Sequence, residues 1–124
     1  MMEYRTIDGS QCEALFFPSL SQDMGYIVEI ESQHMQGLPL KLCIENEVTK
    51  TCVLEDELHR KKTTAKEYFI IPPYYQGFGY NVILNNFSIG KTETINRLKS
   101  VRVIPFPYNF FQSIQTGTDR KSVV

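Results

Sequence analysis

Apolar residues in this chain recur at every second position in short runs, and turn-forming residues cut the runs apart. That pattern specifies strands and leaves almost no room for helices. In Tyr26-Ile27-Val28-Glu29-Ile30-Glu31, Val28 and Ile30 share one face and Glu29 and Glu31 the other. In Leu40-Lys41-Leu42-Cys43-Ile44-Glu45, Leu40, Leu42 and Ile44 point inward while Lys41, Cys43 and Glu45 point outward. Gln11–Phe17, Lys50–Leu54, Tyr68–Ile71, Gly79–Phe87 and Ser100–Phe106 extend the series, with Val101 and Val103 facing the core. Gly37-Leu38-Pro39, Pro72-Pro73, Gly77-Phe78-Gly79, Gly90, and Pro105 with Pro107 supply the breaks. Ile95 to Arg97 reads as a loop leading into the last strand. Only Glu55–Lys66 has the length for a helical turn or two, and its Thr63-Thr64 pair weakens that reading.

Seven short strands at this spacing point to an all-β fold, a two-layer antiparallel β-sandwich in preference to a barrel. A βαβ arrangement needs crossover helices, and the connections offer at most one. With 124 residues the chain holds one domain. Residues 1–10 read as an N-terminal extension, 11–115 as the sandwich and 116–124 as a disordered tail. Met1-Met2-Glu3-Tyr4 looks as much like a cut as a native beginning, so the chain reads as an excised domain. Thirteen Lys and Arg against 14 Asp and Glu leave a formal charge of -1, which removes the surplus of cations that nucleic acid demands. No apolar run reaches membrane-spanning length, and the first residues do not form a signal peptide.

Cys43 and Cys52 flank a predicted hairpin with Asn46 to Thr49 as its loop. Pairing Glu45 with Lys50 then sets Cys43 opposite Cys52, where Cβ atoms in an antiparallel pair lie about 4.5–5.5 Å apart. Both thiols fall on the polar face, away from Leu42 and Ile44. A disulfide formed in an oxidising compartment explains that placement; the alternative is two unlinked thiols in a reducing one. Cys12 is expected to be a buried free thiol.

Metal and catalytic chemistry find little support. There is no Cys-x-x-Cys, and His34 and His59 are the only histidines, so neither a metal site nor a cofactor is expected. Each histidine reads as polar surface. A small hydrolase would need a pocket joining His34 to a carboxylate. Glu55-Asp56-Glu57, followed by Arg60-Lys61-Lys62, reads as a solvated loop, with a calcium site through Asp56 as the minor reading. Asn86-Phe87-Ser88 matches the glycosylation sequon. Tyr74-Tyr75-Gln76-Gly77-Phe78-Gly79-Tyr80-Asn81 places four aromatics around two glycines, with Asn85, Asn86 and Asn96 downstream. Rings that cover the C–H face of a sugar and amides that satisfy its hydroxyls are the materials of carbohydrate recognition. On that reading Tyr74, Tyr75, Tyr80 and Asn81 are the ligand contacts. The competing reading puts Tyr80 in the core, in phase with Val82 and Leu84, and makes the other rings loop plugs.

Several segments together look like a known domain type. They are Gly37 to Asn46 with Thr49-Lys50-Thr51-Cys52, Phe69-Ile70-Ile71-Pro72-Pro73, Gly79-Tyr80-Asn81-Val82 with Asn85 to Gly90, and Ile104-Pro105-Phe106-Pro107-Tyr108. The domain they resemble is the extracytoplasmic jelly-roll-type β-sandwich of bacterial multi-spanning membrane proteins of the glycosyltransferase kind. The resemblance covers residues 24–114 and extends more loosely to galactose-binding-like carbohydrate-binding modules. It implies a non-catalytic binding module outside the cytoplasm, with a glycan or lipid-linked sugar as ligand and a membrane-embedded parent protein. It supplies no ligand-contact motif. The alternative is a structural or protein-contact domain that docks through Tyr108 to Phe111.

Overall fold

A computed structural model describes residues 1–15, 24–71, 79–106 and 122–123. The strands are β1 (Met2–Thr6), β2 (Gly9–Ala14), β3 (Gly25–Gln36), β4 (Lys41–Asn46), β5 (Cys52–Glu57), β6 (Ala65–Ile71), β7 (Tyr80–Ser88), β8 (Thr94–Phe106) and β9 (Ser122–Val123). They form two antiparallel sheets, a five-stranded one in the order β1-β8-β3-β6-β9 and a four-stranded one in the order β2-β7-β4-β5. The expected all-β sandwich is present. The described residues contain no helix, so Glu55–Lys66 is the end of β5, an extended loop and the start of β6. Residues 1–10 supply β1 and the start of β2, and Ser122–Val123 of the expected tail pair with Tyr68 and Phe69.

The pairing is nested. β1 pairs with β8, β2 with β7, β3 with β6 and β4 with β5, so the chain forms one long antiparallel ribbon. The ribbon is then folded so that β8 also lies against β3 and β7 against β4. Alternation puts Val28, Ile30, Leu42, Ile44, Phe69, Ile71, Tyr80, Val82 and Leu84 between the layers, nearly inaccessible to water. Leu40 joins them, and Val101 and Val103 pack against this core as expected.

Gly37 shows how tightly the β3–β4 turn is held. Its φ is +78°, and a Cβ there would sit 2.7 Å from the Thr94 Cα and 2.9 Å from the Glu93 carbonyl oxygen. Any other residue would meet both backbone strain and backbone collision.

The hairpin of β4 and β5 differs from its sequence reading in register. Asn46 accepts at Oδ1 from the amides of Val48 (2.9 Å) and Thr49 (3.2 Å), and its own N–H donates to Thr51 O at 2.9 Å. This side-chain-driven turn moves the loop to Glu47–Lys50. A bulge then skips Val53, so that Ile44 opposes Leu54 and Glu45 opposes Cys52. Cys43 therefore opposes Glu55, yet the disulfide to Cys52 forms across the bulge with Cα atoms 5.4 Å apart. A disulfide of this kind belongs to compartments outside the reducing cytoplasm. Cys12 is free and exposed, contrary to the expected burial, because β2 is an edge strand and Cys12 points away from the core.

Candidate functional site

The outer face of the four-stranded sheet carries the side chains that the core leaves out. β7 alternates Tyr80, Val82, Leu84 and Asn86 inward with Asn81, Ile83, Asn85 and Phe87 outward. On β4, Lys41, Cys43 and Glu45 share that outward face and stand opposite Asn85, Ile83 and Asn81 respectively. Cys12 flanks Asn85 from the other side. The face therefore combines the amides of Asn81 and Asn85, the Phe87 ring, the Lys41 amine and the carboxylates of Glu45, Glu55 and Glu57, and the disulfide locks the hairpin that forms half of it.

Its electrostatics are specific. Lys41 Nζ lies 2.7 Å from Glu55 Oε1 and 5.7 Å from the centre of the Phe87 ring. The hydrogen bond to Glu55, and then its charge, raise the Lys41 pKa above the usual lysine value. Asn81 Nδ2 donates to Glu45 Oε1 at 3.5 Å. Asn85 Oδ1 is buried and has no partner among the described residues.

The expected ligand residues fare differently. Asn81 is on this face, half-buried. Tyr80 is not: it is 3% exposed and belongs to the core, because its neighbour in the alternation already occupies the outward position. That corrects its assignment as a contact residue. Tyr74 and Tyr75 lie outside the described residues. Of the other residues on this face, Asn85 belongs to the downstream amides of the sequence reading, while Lys41 and Phe87 lie outside its contact set. The signal for them was present in the sequence, since they fall in phase with Asn81 and with each other.

A second set of polar residues forms a mostly internal assembly. His34 Nδ1 donates to Asn96 Oδ1 at 2.7 Å, and Asn96 Nδ2 donates to Asn86 Oδ1 (2.7 Å) and to Leu38 O (3.0 Å). Asn86 Nδ2 then donates to Thr6 Oγ1 (2.8 Å) and Thr94 O (3.3 Å). The direction is fixed because both Asn96 hydrogens are committed, which leaves its Oδ1 to accept and gives the proton to His34 Nδ1. His34 thus sits inside β3, bonded to a carboxamide instead of a carboxylate, and is not surface. Asn86 is fully buried with both amide hydrogens in use, so the sequon is inaccessible in the folded chain.

His59 is also internal to the structure's wiring. Its Nδ1 accepts from Lys61 N at 3.0 Å, so Nε2 carries the proton and donates to Ser32 O at 2.9 Å. Ser32 Oγ lies 3.2 Å from the same nitrogen. That tautomer cannot take a proton from the serine, and Ser32 is buried, so the pair does not make a nucleophile. Among the described residues no three His, Cys, Asp or Glu side chains are grouped to hold a metal. No described helix is long and apolar enough to cross a membrane.

No protein-family model, curated protein or solved structure matches this chain.

Proposed function

We propose that the chain is a jelly roll serving as a non-catalytic binding module outside the cytoplasm, recognising carbohydrate through the outer face of its four-stranded sheet. The strand orders β1-β8-β3-β6 and β2-β7-β4-β5 fit a ribbon wound into two Greek keys. One observation carries the ligand reading: Asn81, Asn85 and the Phe87 ring share the outward face of β7 beside Lys41, in a sheet that a disulfide braces. An amide acceptor beside a ring and a cation suits a polyhydroxyl ligand, and a pre-formed β-face spares the ordering cost of binding. As an accessory domain it would hold a glycan or a lipid-linked sugar for an attached membrane enzyme of the glycosyltransferase kind.

A glycan array probed with the intact chain tests this. Binding should be lost in Asn85→Ala and Phe87→Ala, and also in Tyr74→Ala and Tyr75→Ala if the aromatic segment contributes. Failure of the intact chain to bind any sugar on the array overturns the reading.

A protein-contact role has its own support in the other sheet. On the outer face, Ile27 stands directly opposite Ile70 on one side and Ile104 on the other; Ile70 is buried, and Ile27 and Ile104 are the half-exposed pair of the row. Ile27→Asp should abolish association with a parent chain if that row is a contact.

A further inference from the structure

The connections from β1 to β2, β3 to β4, β5 to β6 and β7 to β8 all open at one end of the sandwich. Thr6 pairs with Thr94, Gly9 with Ser88, Gln36 with Ile95 and Glu57 with Lys41, which brings those four turns to the same side. Two aliphatic side chains stand out from it: Ile7 is 58% exposed and Ile89 is 75% exposed. Ile89 is followed by Gly90, at φ +65°, and Lys91, so the isoleucine sits at the tip of a tight turn. Isolated exposed isoleucines are common, but two at one end that also carries cations form a pattern.

The cations are Lys91 on the same turn and Arg60, Lys61 and Lys62 on the β5–β6 loop, all exposed. Arg60 lies 3.8 Å from Glu57, whereas Lys61, Lys62 and Lys91 have no ion pair among the described residues. Of the acids around this end, Glu93 faces Arg5 at 3.5 Å and Glu57 faces Arg60. Glu67 Oε1 accepts from His59 N at 2.6 Å, Asp56 Oδ1 accepts from Glu57 N at 3.0 Å, and Asp8 adds a further carboxylate. The lysine loop is also braced from within. His34 N donates to Lys61 O at 2.9 Å, Gln33 Nε2 to Lys62 O at 2.6 Å, and Lys61 N to the His59 ring. The positive charges are therefore displayed on a fixed backbone, with little ordering left to do on binding.

We infer that this end docks on the surface of an anionic lipid bilayer. Ile7 and Ile89 would enter the boundary between headgroups and acyl chains, while Arg60, Lys61, Lys62 and Lys91 meet lipid phosphates. A soluble polyanion would satisfy the cations and leave both isoleucines in water, so the combination selects a bilayer. The inference stands apart from the sugar reading, since the sheet face is a different surface and projects to the side when this end is down.

Sedimentation of the intact chain with vesicles tests it. Vesicles containing about a third phosphatidylglycerol in phosphatidylcholine should bind the chain, and pure phosphatidylcholine should bind it far more weakly. Lys61→Gln with Lys62→Gln should weaken binding about thirtyfold, given the usual attraction per basic residue at an anionic surface. Ile7→Ser with Ile89→Ser should weaken it about tenfold through lost apolar burial. Val48→Ser, an equally exposed aliphatic at the opposite end, should leave it unchanged. The sequence contains no tryptophan, so Ile89→Trp gives a single reporter whose emission should shift to the blue on vesicles. An intact chain that stays in solution overturns the inference. So does an unshifted tryptophan, or binding that ignores the isoleucines and is fully displaced by soluble polyphosphate.

Discussion

Followed along its length, the inward side of β3 changes character. Tyr26, Val28 and Ile30 come first, then Ser32 and His34. β7 changes in the same place, from Tyr80, Val82 and Leu84 to Asn86 and Ser88, and β8, running the other way, passes from Thr94 and Asn96 to Leu98. The interior thus has an apolar end and a polar end stacked along the strands. The apolar end supplies the driving force in proportion to area removed from water and tolerates any arrangement that keeps the area buried. The polar end works by geometry. His34, Asn96, Asn86 and Thr6 come from β3, β8, β7 and β1, and their donors are satisfied only when those strands stand in this register. A two-residue slip would keep the faces correct yet leave several buried amides unpaired.

The sharpest way to break that contrast is to damage each end in turn. Phe69→Ala, at the centre of the apolar end, should cost about 4 kcal/mol in chemical denaturation. Asn96→Ala should cost nearly as much, about 3 kcal/mol, although it removes far less surface, because it strands His34, Asn86 and the Leu38 carbonyl. A loss in Asn96→Ala no larger than that of an ordinary surface substitution would show that the polar end does not fix the register. Reducing the Cys43–Cys52 bond reports on the hairpin at the apolar end. With a sequence separation of 9, its loss should lower stability by about 2.5 kcal/mol while the amide network persists. Alkylation mass spectrometry provides the control: one adduct on the native chain, at Cys12, and adducts on all 3 cysteines after reduction. The smallest effect belongs to neither end. Arg97 and then Arg5 hold the Glu3 carboxyl below its usual value, so the stabilisation is complete above about pH 4.5 and fades as pH falls through the depressed folded-state value. The pair is exposed, so a thermal melt at acid pH should differ only slightly between the native chain and Glu3→Gln.

The same contrast explains what could be read in the sequence. Where the inside is apolar, alternation identified both strand and face: Val28 with Ile30, Leu42 with Ile44, Val101 with Val103. Where the inside is polar, the pattern vanished. Thr94 and Asn96 point inward while Ile95 and Arg97 point outward, so the first half of β8 resembled a loop. The alternation ends at Glu31 because Ser32 and His34 occupy the last inward positions of β3, and β1 leaves no pattern because Tyr4 is its one buried side chain. The outer face was legible in part. The sequence reading names Asn81 and counts Asn85 among the downstream amides but takes Phe87 only as the middle of a sequon, although the phase that places Tyr80 inside places all three on one surface. The cystine was found despite a wrong register, since a diagonal offset across a bulge keeps two Cα atoms as close as direct opposition does.

Nested pairing also imposes an order of assembly. The β4–β5 hairpin joins residues close in sequence and can form first, within microseconds for an unhindered hairpin. Each later pair, β3 with β6, β2 with β7 and β1 with β8, must bring together more distant segments, ending with Met2 against Leu98. The chain should therefore zip outward from a seed that oxidation makes permanent, and the β1–β8 pair should be the last to settle and the first to part under tension.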